Sequence, residues 1–145
     1  MPRLDAERIG LFRDLCVATQ AMQRQIDADL VEEFGISLAW FEVMAALQRV
    51  GGSMRVSELC AELDDVPSSL SRRLDRMEEQ GHVARDASPT LTDRRAVSVQ
   101  LTRDGRSFWR DANVIYRRSV QLNFAQVVTD SDIVALQRLL SKLAR

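Results

Sequence analysis

Three serines and three arginines are concentrated within a short stretch of the sequence, at Ser68, Ser69, Ser71, Arg72, Arg73 and Arg76. Serine is unfavourable in the middle of a helix, but in the first turn it allows the backbone N–H groups to approach an anion closely. Arginine forms bidentate hydrogen bonds with phosphate and with O6 and N7 of guanine. We expect Arg76 to hold a phosphate and the other five side chains to contact the major groove of DNA.

A less specific interpretation of the same helix stays open. Asp75, Glu78 and Glu79 lie within one turn of the arginines. Oppositely charged side chains three or four residues apart commonly form ion pairs on the surface of a helix. Arg72 and Arg76 could therefore form ion pairs with these acids on a solvated face.

A second basic segment, Asp93-Arg94-Arg95, precedes a run of alternating apolar residues. Side chains two residues apart in a strand project from the same face, so Asp93 can hold Arg95 extended. An extended guanidinium fits the narrow minor groove, which attracts concentrated positive charge. A surface ion pair that only closes the loop is the alternative. Together with the serine- and arginine-rich helix, this segment favours DNA binding.

The charge of the chain is divided unevenly, although its net value is only −1. Residues 1–65 hold six arginines and twelve acids, whereas residues 66–110 hold nine arginines and six acids. Lys142 is the only lysine, so the middle third is positive entirely through arginine. GC-rich codon usage also favours arginine over lysine, so the position of the charge is more informative than the residue type.

The periodicity of apolar residues predicts the elements that must position these groups. Helices are predicted at 4–34, 37–50, 57–63 and 66–81, from Thr102 onwards and from near Thr129, and strands at 82–85 and 96–101. Ser37, Ser57 and Thr102 are the expected N-cap residues, and Asp65 is a candidate cap for the fourth helix. Three short helices followed by a two-stranded hairpin with a basic tip are typical of a winged helix-turn-helix.

Several classes of protein are unfavoured by the composition. A chain of 145 residues can bury about 70% of its unfolded surface, so it needs no metal or disulfide to fold. No apolar run approaches the roughly 18 residues of a membrane span, and the N-terminal residues include acids where a secretory signal is apolar. We therefore expect a cytoplasmic protein with no membrane partner, in which Cys16 and Cys60 are reduced thiols.

Enzymatic chemistry is also unfavoured. His82 is the only histidine, so a histidine-based triad or a two-histidine metal site cannot be assembled. Glycine-rich loops of the phosphate-binding type are absent from the sequence. We expect no catalysis, no metal and no cofactor.

Three motifs resemble the multiple antibiotic resistance regulator (MarR) family of bacterial transcriptional regulators. The string SSLSRRLDRMEEQGHV is similar to the family's recognition helix, with Met77 where leucine is usual. Asp93-Arg94-Arg95 matches the family's Asp-x-Arg wing, and residues 101–105, Leu-Thr-Arg-Asp-Gly, match its Leu-Thr-x-x-Gly. The similarity extends over nearly the whole chain.

The resemblance implies a homodimer in which the N-terminal helix and the last two helices of each chain interlock. The sequence allows this, because its outer apolar stripes exceed what a small lobe of three helices could cover. The stripes contain Leu11, Leu15, Met22, Phe108, Ile115, Leu122, Leu136 and Leu140. A monomer whose terminal helices pack only on each other is the alternative. A twofold dimer predicts a pseudo-palindromic operator with half-sites about one helical turn apart.

The predicted fold class is mainly α with a small β wing, made of a winged helix-turn-helix DNA-binding lobe and a helical dimerisation lobe. We expect one MarR-like domain over 1–145. The winged helix-turn-helix would occupy about 37–101, and the dimerisation helices about 4–34 and 102–145.

The resemblance also implies a small aromatic or phenolic effector, bound between the two lobes. Met22, Trp40, Phe41 and Met44 could line such a cleft, although methionine and aromatic residues at helical spacing are more often core. Cys16 occupies a site similar to that of the reactive cysteine in the peroxide-sensing branch. The only tyrosine, Tyr116, lies far from it in sequence, so a buried helix cysteine is the default and redox sensing the alternative.

The sequence thus predicts a homodimeric, sequence-specific DNA-binding regulator, chiefly a repressor, that a small molecule releases from double-stranded DNA. A winged-helix protein-interaction module without DNA binding is the second interpretation, because the N-terminal third of the chain is acidic.

Overall fold

The computed structural model describes residues 3–87 and 97–144, and the predicted wing residues Asp93, Arg94 and Arg95 lie outside them. The helices are α1 (Ala6–Phe34), α2 (Leu38–Arg49), α3 (Val56–Glu62), α4 (Pro67–Glu79), α5 (Arg103–Asn123) and α6 (Asp130–Leu143). The strands are β1 (Ser53–Arg55), β2 (Val83–Ala87) and β3 (Val97–Leu101). A short 3-10 helix at Ala125–Val127, which the sequence did not predict, joins α5 to α6. The chain is mainly helical with a small sheet, which confirms the predicted fold class.

Two of the predicted N-caps are formed. The hydroxyl of Ser37 accepts a hydrogen bond from the backbone N–H of Trp40 at 3.1 Å. The hydroxyl of Thr102 accepts one from Gly105 at 2.9 Å. Gly35 ends α1 in the left-handed conformation, with φ 67°, which glycine adopts without the strain that a Cβ would cause.

Two helix starts differ from the prediction. α1 begins after Asp5 rather than at Leu4, because the carboxylate of Asp5 accepts the backbone N–H of Arg8 and caps the helix. α3 begins at Val56, because β1 runs into it with no intervening turn. The predicted cap Ser57 therefore lies inside the first turn, and α3 has no side-chain cap.

The sheet contains three antiparallel strands in the order β1-β3-β2, whereas the sequence predicted only the β2–β3 hairpin. Met54 of β1 lies opposite Val99 of β3. Three residues carry too little alternation to identify a strand, which is why the sequence did not predict β1 as one. The alternation predicted for β3 is confirmed over residues 99–101, where Val99 and Leu101 are buried and Gln100 is exposed, whereas Val97 and Ser98 are both half-buried.

The core lies where α4 packs against α2, α3 and the sheet. Leu70, Leu74 and Met77 of α4 are spaced by four and three residues, which places them on one face of the helix. All three side chains are completely buried. They join a cluster that includes Leu30, Met44, Leu47, Leu59, Val83 and Val99. The opposite face of α4 is therefore directed away from the core.

The outer helices leave a large apolar surface uncovered in a single chain. No residue of α6 is buried, although Thr129 and Asp132 form a capping box at its start. Exposed apolar side chains of the outer helices include Leu11, Phe12, Leu15, Leu122, Ile133, Leu140 and Leu143. None of the described helices has the length and apolar character of a membrane span.

Gly105 brings α5 against the turn that follows α4. A Cβ at this position would lie 2.0 Å from the backbone oxygen of His82. The same oxygen accepts the N–H of Thr102 at 3.1 Å, so the turn cannot move away without losing that bond. Only glycine fits this close approach between the start of α5 and the turn that leads into β2.

Replacing Gly105 should therefore destabilise the protein more than an ordinary helix substitution. We expect Gly105→Ala to lower the free energy of unfolding by about 1–3 kcal/mol, the usual cost of overpacking. Ser107→Ala, an exposed position two residues further along α5, should change it by less than about 0.5 kcal/mol. Urea denaturation compares the two variants, and equal stabilities would contradict the predicted clash.

Candidate nucleic-acid interface

The first turn of α4 has no side-chain cap. Val66 occupies the N-cap position and Pro67 the first helical position. Asp65, the candidate cap, instead accepts the backbone N–H of Val66 at 2.8 Å and a hydrogen bond from Arg73 at 2.6 Å. Leaving the first N–H groups of a helix without a side-chain acceptor makes them available to an anion such as phosphate.

The predicted reading residues lie together on α4. Ser68, Ser69, Ser71, Arg72 and Arg76 are all exposed. Their exposure follows from the burial of the apolar face, because a helix that is pinned on one side presents its other side chains to solvent. The arrangement offers hydroxyl, guanidinium and backbone N–H donors on one surface, the groups that bind phosphate and the edges of bases.

Arg73 behaves differently from the other predicted reading residues. Its side chain is only 17% exposed, and Nη1 lies 2.6 Å from Oδ2 of Asp65, whose side chain is 20% exposed. The hydrogen bond from Arg73 holds the pKa of Asp65 below its ordinary value. The pair joins α4 to the turn before it, so the geometry favours a positioning role for Arg73 over base contact.

The ion pairs that would have occupied Arg72 and Arg76 are not formed within residues 3–87 and 97–144. The carboxylates of Asp75 and Glu78 instead bind Arg85 of β2. Arg85 was missed at the sequence level, because only the turn after α4 brings β2 alongside the helix. Arg85 follows Glu78 by seven and Asp75 by ten residues across the turn that ends α4, so no period within a single helix or strand indicates the contact.

A polar cleft of about 330 Å³ lies between α2 and α4. Its lining consists of Ser37, Ala39, Trp40, Ser68, Ser69, Arg72, Arg73 and Arg76. The cleft therefore connects the N-terminal end of α2 with the arginine-bearing side of α4.

The four predicted effector residues are distributed over different surroundings. Phe41 and Met44 are buried in the core, and Phe41 stacks on Tyr116 with ring centroids 4.6 Å apart. Trp40 is half-buried, lines the cleft beside α4 and meets His82 edge to face at 5.8 Å. Met22 is half-buried on α1. The effector site therefore stays a prediction.

The imidazole of His82 lies between aromatic side chains of α2 and α5. It stacks on Phe108 with ring centroids 4.2 Å apart, and Phe108 in turn packs edge to face on Phe34 at 5.5 Å. Burial lowers the pKa of His82, and the nearby Asp104 opposes this effect. Phe108, predicted for the dimer interface, thus also packs within its own chain.

The remaining predicted dimer residues divide between exposed and half-buried positions. The exposed ones are Leu11, Leu15, Leu122 and Leu140, and the half-buried ones are Met22, Ile115 and Leu136. Cys16 is half-buried on α1. The thiol of Cys60 donates to the backbone oxygen of Asp65 at 3.1 Å, which agrees with a structural role.

Because the Asp65–Arg73 pair is largely shielded from water, we expect a measurable interaction free energy between the two side chains. A double-mutant cycle with Asp65→Asn and Arg73→Gln should give a coupling of about 0.5–1 kcal/mol, near the upper end for ion pairs at a surface. The cycle Arg49→Gln with Glu62→Gln is a matched control, because that pair is exposed and separated by 3.6 Å. A coupling no larger than the control would show that Arg73 is not held by Asp65.

Comparison with known proteins agrees with this geometry. The sequence profile of the MarR family matches residues 34–96. The HTH-type transcriptional repressor MdtR of Bacillus subtilis is 25% identical over 138 residues, which are 93% of this chain and 86% of that protein. The HTH-type transcriptional regulator PecS of Dickeya dadantii is 31% identical over 106 residues, 72% of this chain and 62% of that protein.

The fold is shared with a solved structure of a MarR variant from E. coli in complex with operator DNA. The two chains superpose with a TM-score of 0.80 and 26% identity, over 98% of this chain and 100% of that one. The relatives are regulators of transcription rather than enzymes. Residues 34–96 thus match the MarR family, and nearly the whole chain is similar in sequence and fold to transcriptional regulators, among them a DNA-bound MarR.

Proposed function

We propose that the protein binds a specific DNA sequence as a homodimer and represses transcription by occupying promoter DNA. The observation that carries this proposal is the outer face of α4, where exposed serines and arginines surround an uncapped helix start. The buried face of the same helix holds this surface in a fixed orientation. MdtR is named as a repressor, which supports the direction of regulation.

The individual roles follow from position on α4. Ser68, Ser69, Ser71 and Arg72 read the major groove, where short hydroxyls allow the helix to approach closely and arginine pairs with guanine. Arg76 holds a backbone phosphate, and Arg73 positions α4 through Asp65. Asp93, Arg94 and Arg95 form the minor-groove contact of the wing, as the motif implies.

A second copy of the chain covers the exposed leucines of α1, α5 and α6. The apolar surface on these helices is larger than a monomeric protein usually leaves in water. A twofold axis between the copies presents two α4 helices to one side of the duplex. Half-sites would then be spaced by about 34–36 Å, one turn of DNA. The whole chain of 1–145 would act as one domain of this dimer, with the lobes divided near 37 and 102.

A small aromatic or phenolic molecule is the proposed effector. Trp40 supports this placement, because it is half-buried and lines the cleft beside the reading face of α4. Phe41 and Met44 lie behind it in the core. A molecule in this cleft would compete with DNA for the side chains of Arg72 and Arg76, which gives a direct route to release.

DNA binding should depend on the exposed arginines of α4. Selection from a random duplex pool should enrich a palindromic sequence, which fluorescence anisotropy then measures across a salt series. We expect Arg72→Ala to weaken binding by about 1–3 kcal/mol and to relax the preference at one base pair. Arg76→Ala should reduce the salt slope by about one unit.

Arg117→Ala, which removes an exposed arginine from α5, is the matched control and should bind as the unaltered chain does. If the unaltered chain enriches no sequence, the interaction-module interpretation replaces this proposal. If it binds but neither α4 variant differs from the control, α4 is not the reading helix.

Dimerisation should depend on the leucines of the outer helices. We expect Leu140→Glu to shift the protein from dimer to monomer in sedimentation velocity, because a charge would be buried at the interface without a partner. Val50→Glu is the control, since Val50 is similarly exposed but lies at the end of α2. A dimer that survives Leu140→Glu unchanged would place the interface elsewhere.

A further inference from the structure

α4 carries as many negative as positive side chains. Its three arginines are accompanied by Asp75, Glu78 and Glu79, so the helix has no net charge. A surface that binds DNA needs an excess of positive charge, because most of the affinity comes from neutralising phosphates. The acids on α4 must therefore be compensated by a group outside the helix.

Two of these acids lie beside the reading face. Ser71, Asp75 and Glu78 are spaced by four and three residues, which places them along one side of α4. Ser71 belongs to the proposed reading set, so the two carboxylates flank the DNA on that side. Uncovered carboxylates at this position would repel the phosphate backbone.

Arg85 of β2 binds both carboxylates at once. Its Nε donates to Oε2 of Glu78 at 2.7 Å, and its Nη2 donates to Oδ1 of Asp75. The Arg85 side chain is 27% exposed, so its guanidinium lies over the helix side rather than in open solvent. The contact also joins the first strand of the wing to the recognition helix.

We propose that Arg85 is a positioning residue for DNA binding, which acts by covering the two carboxylates of α4 that flank the reading face. This inference rests on the proposed function. The exposed partners Asp75 and Glu78 make the bridge a weak contributor to folding, as ion pairs at a surface generally are. The main effect of this ion-pair bridge is then on the local charge of the protein beside the DNA phosphates.

The proposed electrostatic role of Arg85 predicts a characteristic salt dependence of DNA affinity. Arg85→Gln removes one positive charge and uncovers two negative ones, so fewer counterions are released on binding and the salt slope becomes shallower. We expect at least a tenfold loss of affinity at low salt that diminishes as salt rises and screens the repulsion. A loss caused only by a displaced wing would be similar at all salt concentrations.

Rescue provides the second readout. In the Arg85→Gln background, Asp75→Asn together with Glu78→Gln should restore most of the affinity, because no carboxylate is left to cover. Arg49→Gln is the matched control: it removes an arginine that pairs with Glu62 away from α4, and it should keep full affinity. Urea denaturation of each variant confirms that the fold is retained.

The experiment uses the full chain and the duplex enriched by selection, measured by fluorescence anisotropy. A loss that shrinks with salt and is rescued by the neutral pair would support the role of Arg85. Unchanged affinity in Arg85→Gln, or a loss that is independent of salt and not rescued, would overturn it while leaving the proposed function intact. Failure of the unaltered chain to bind any duplex would overturn both.

Discussion

The burial of one face of α4 is the constraint on which the rest of the structure depends. Leu70, Leu74 and Met77 are completely enclosed by the core, and burying three such side chains stabilises the fold by about 1.5–3 kcal/mol each. A helix fixed in this way cannot rotate, so its serines and arginines have one orientation. The reading surface is thus a consequence of core packing rather than of contacts made by the surface itself.

Two arginines are held by carboxylates on and beside α4. Arg73 is held by Asp65, and Arg85 is held by Asp75 and Glu78. The contacts of Arg85 occupy two of the three acids that helix spacing alone would have paired with Arg72 and Arg76. The chain can therefore carry a net negative charge and still present guanidinium groups at one surface, because binding depends on local rather than total charge.

The sequence predicted the fold class and most helix boundaries because the apolar period is strong in α4, α5 and α6 and capping residues or glycines mark the ends of α1 and α2. It also identified α4 as the exposed serine and arginine helix, since its apolar and polar residues separate cleanly. It missed β1, which is too short to show alternation, and Arg85, whose partners lie seven and ten residues away across a turn. It assigned Arg73 to the major groove, because no local spacing indicates the contact with Asp65 eight residues earlier. Contacts across turns depend on tertiary geometry, which periodicity does not contain.

Methylation protection of guanine N7 in the selected duplex tests whether α4 lies in the major groove. N7 is exposed only in the major groove, so dimethyl sulfate reports occupancy of that groove at each guanine. The account predicts protected guanines in two half-sites about 10 base pairs apart, with protection lost in Arg72→Ala at the contacted base. Tight binding that leaves every guanine N7 reactive would contradict it, and would place another surface of the protein on the DNA.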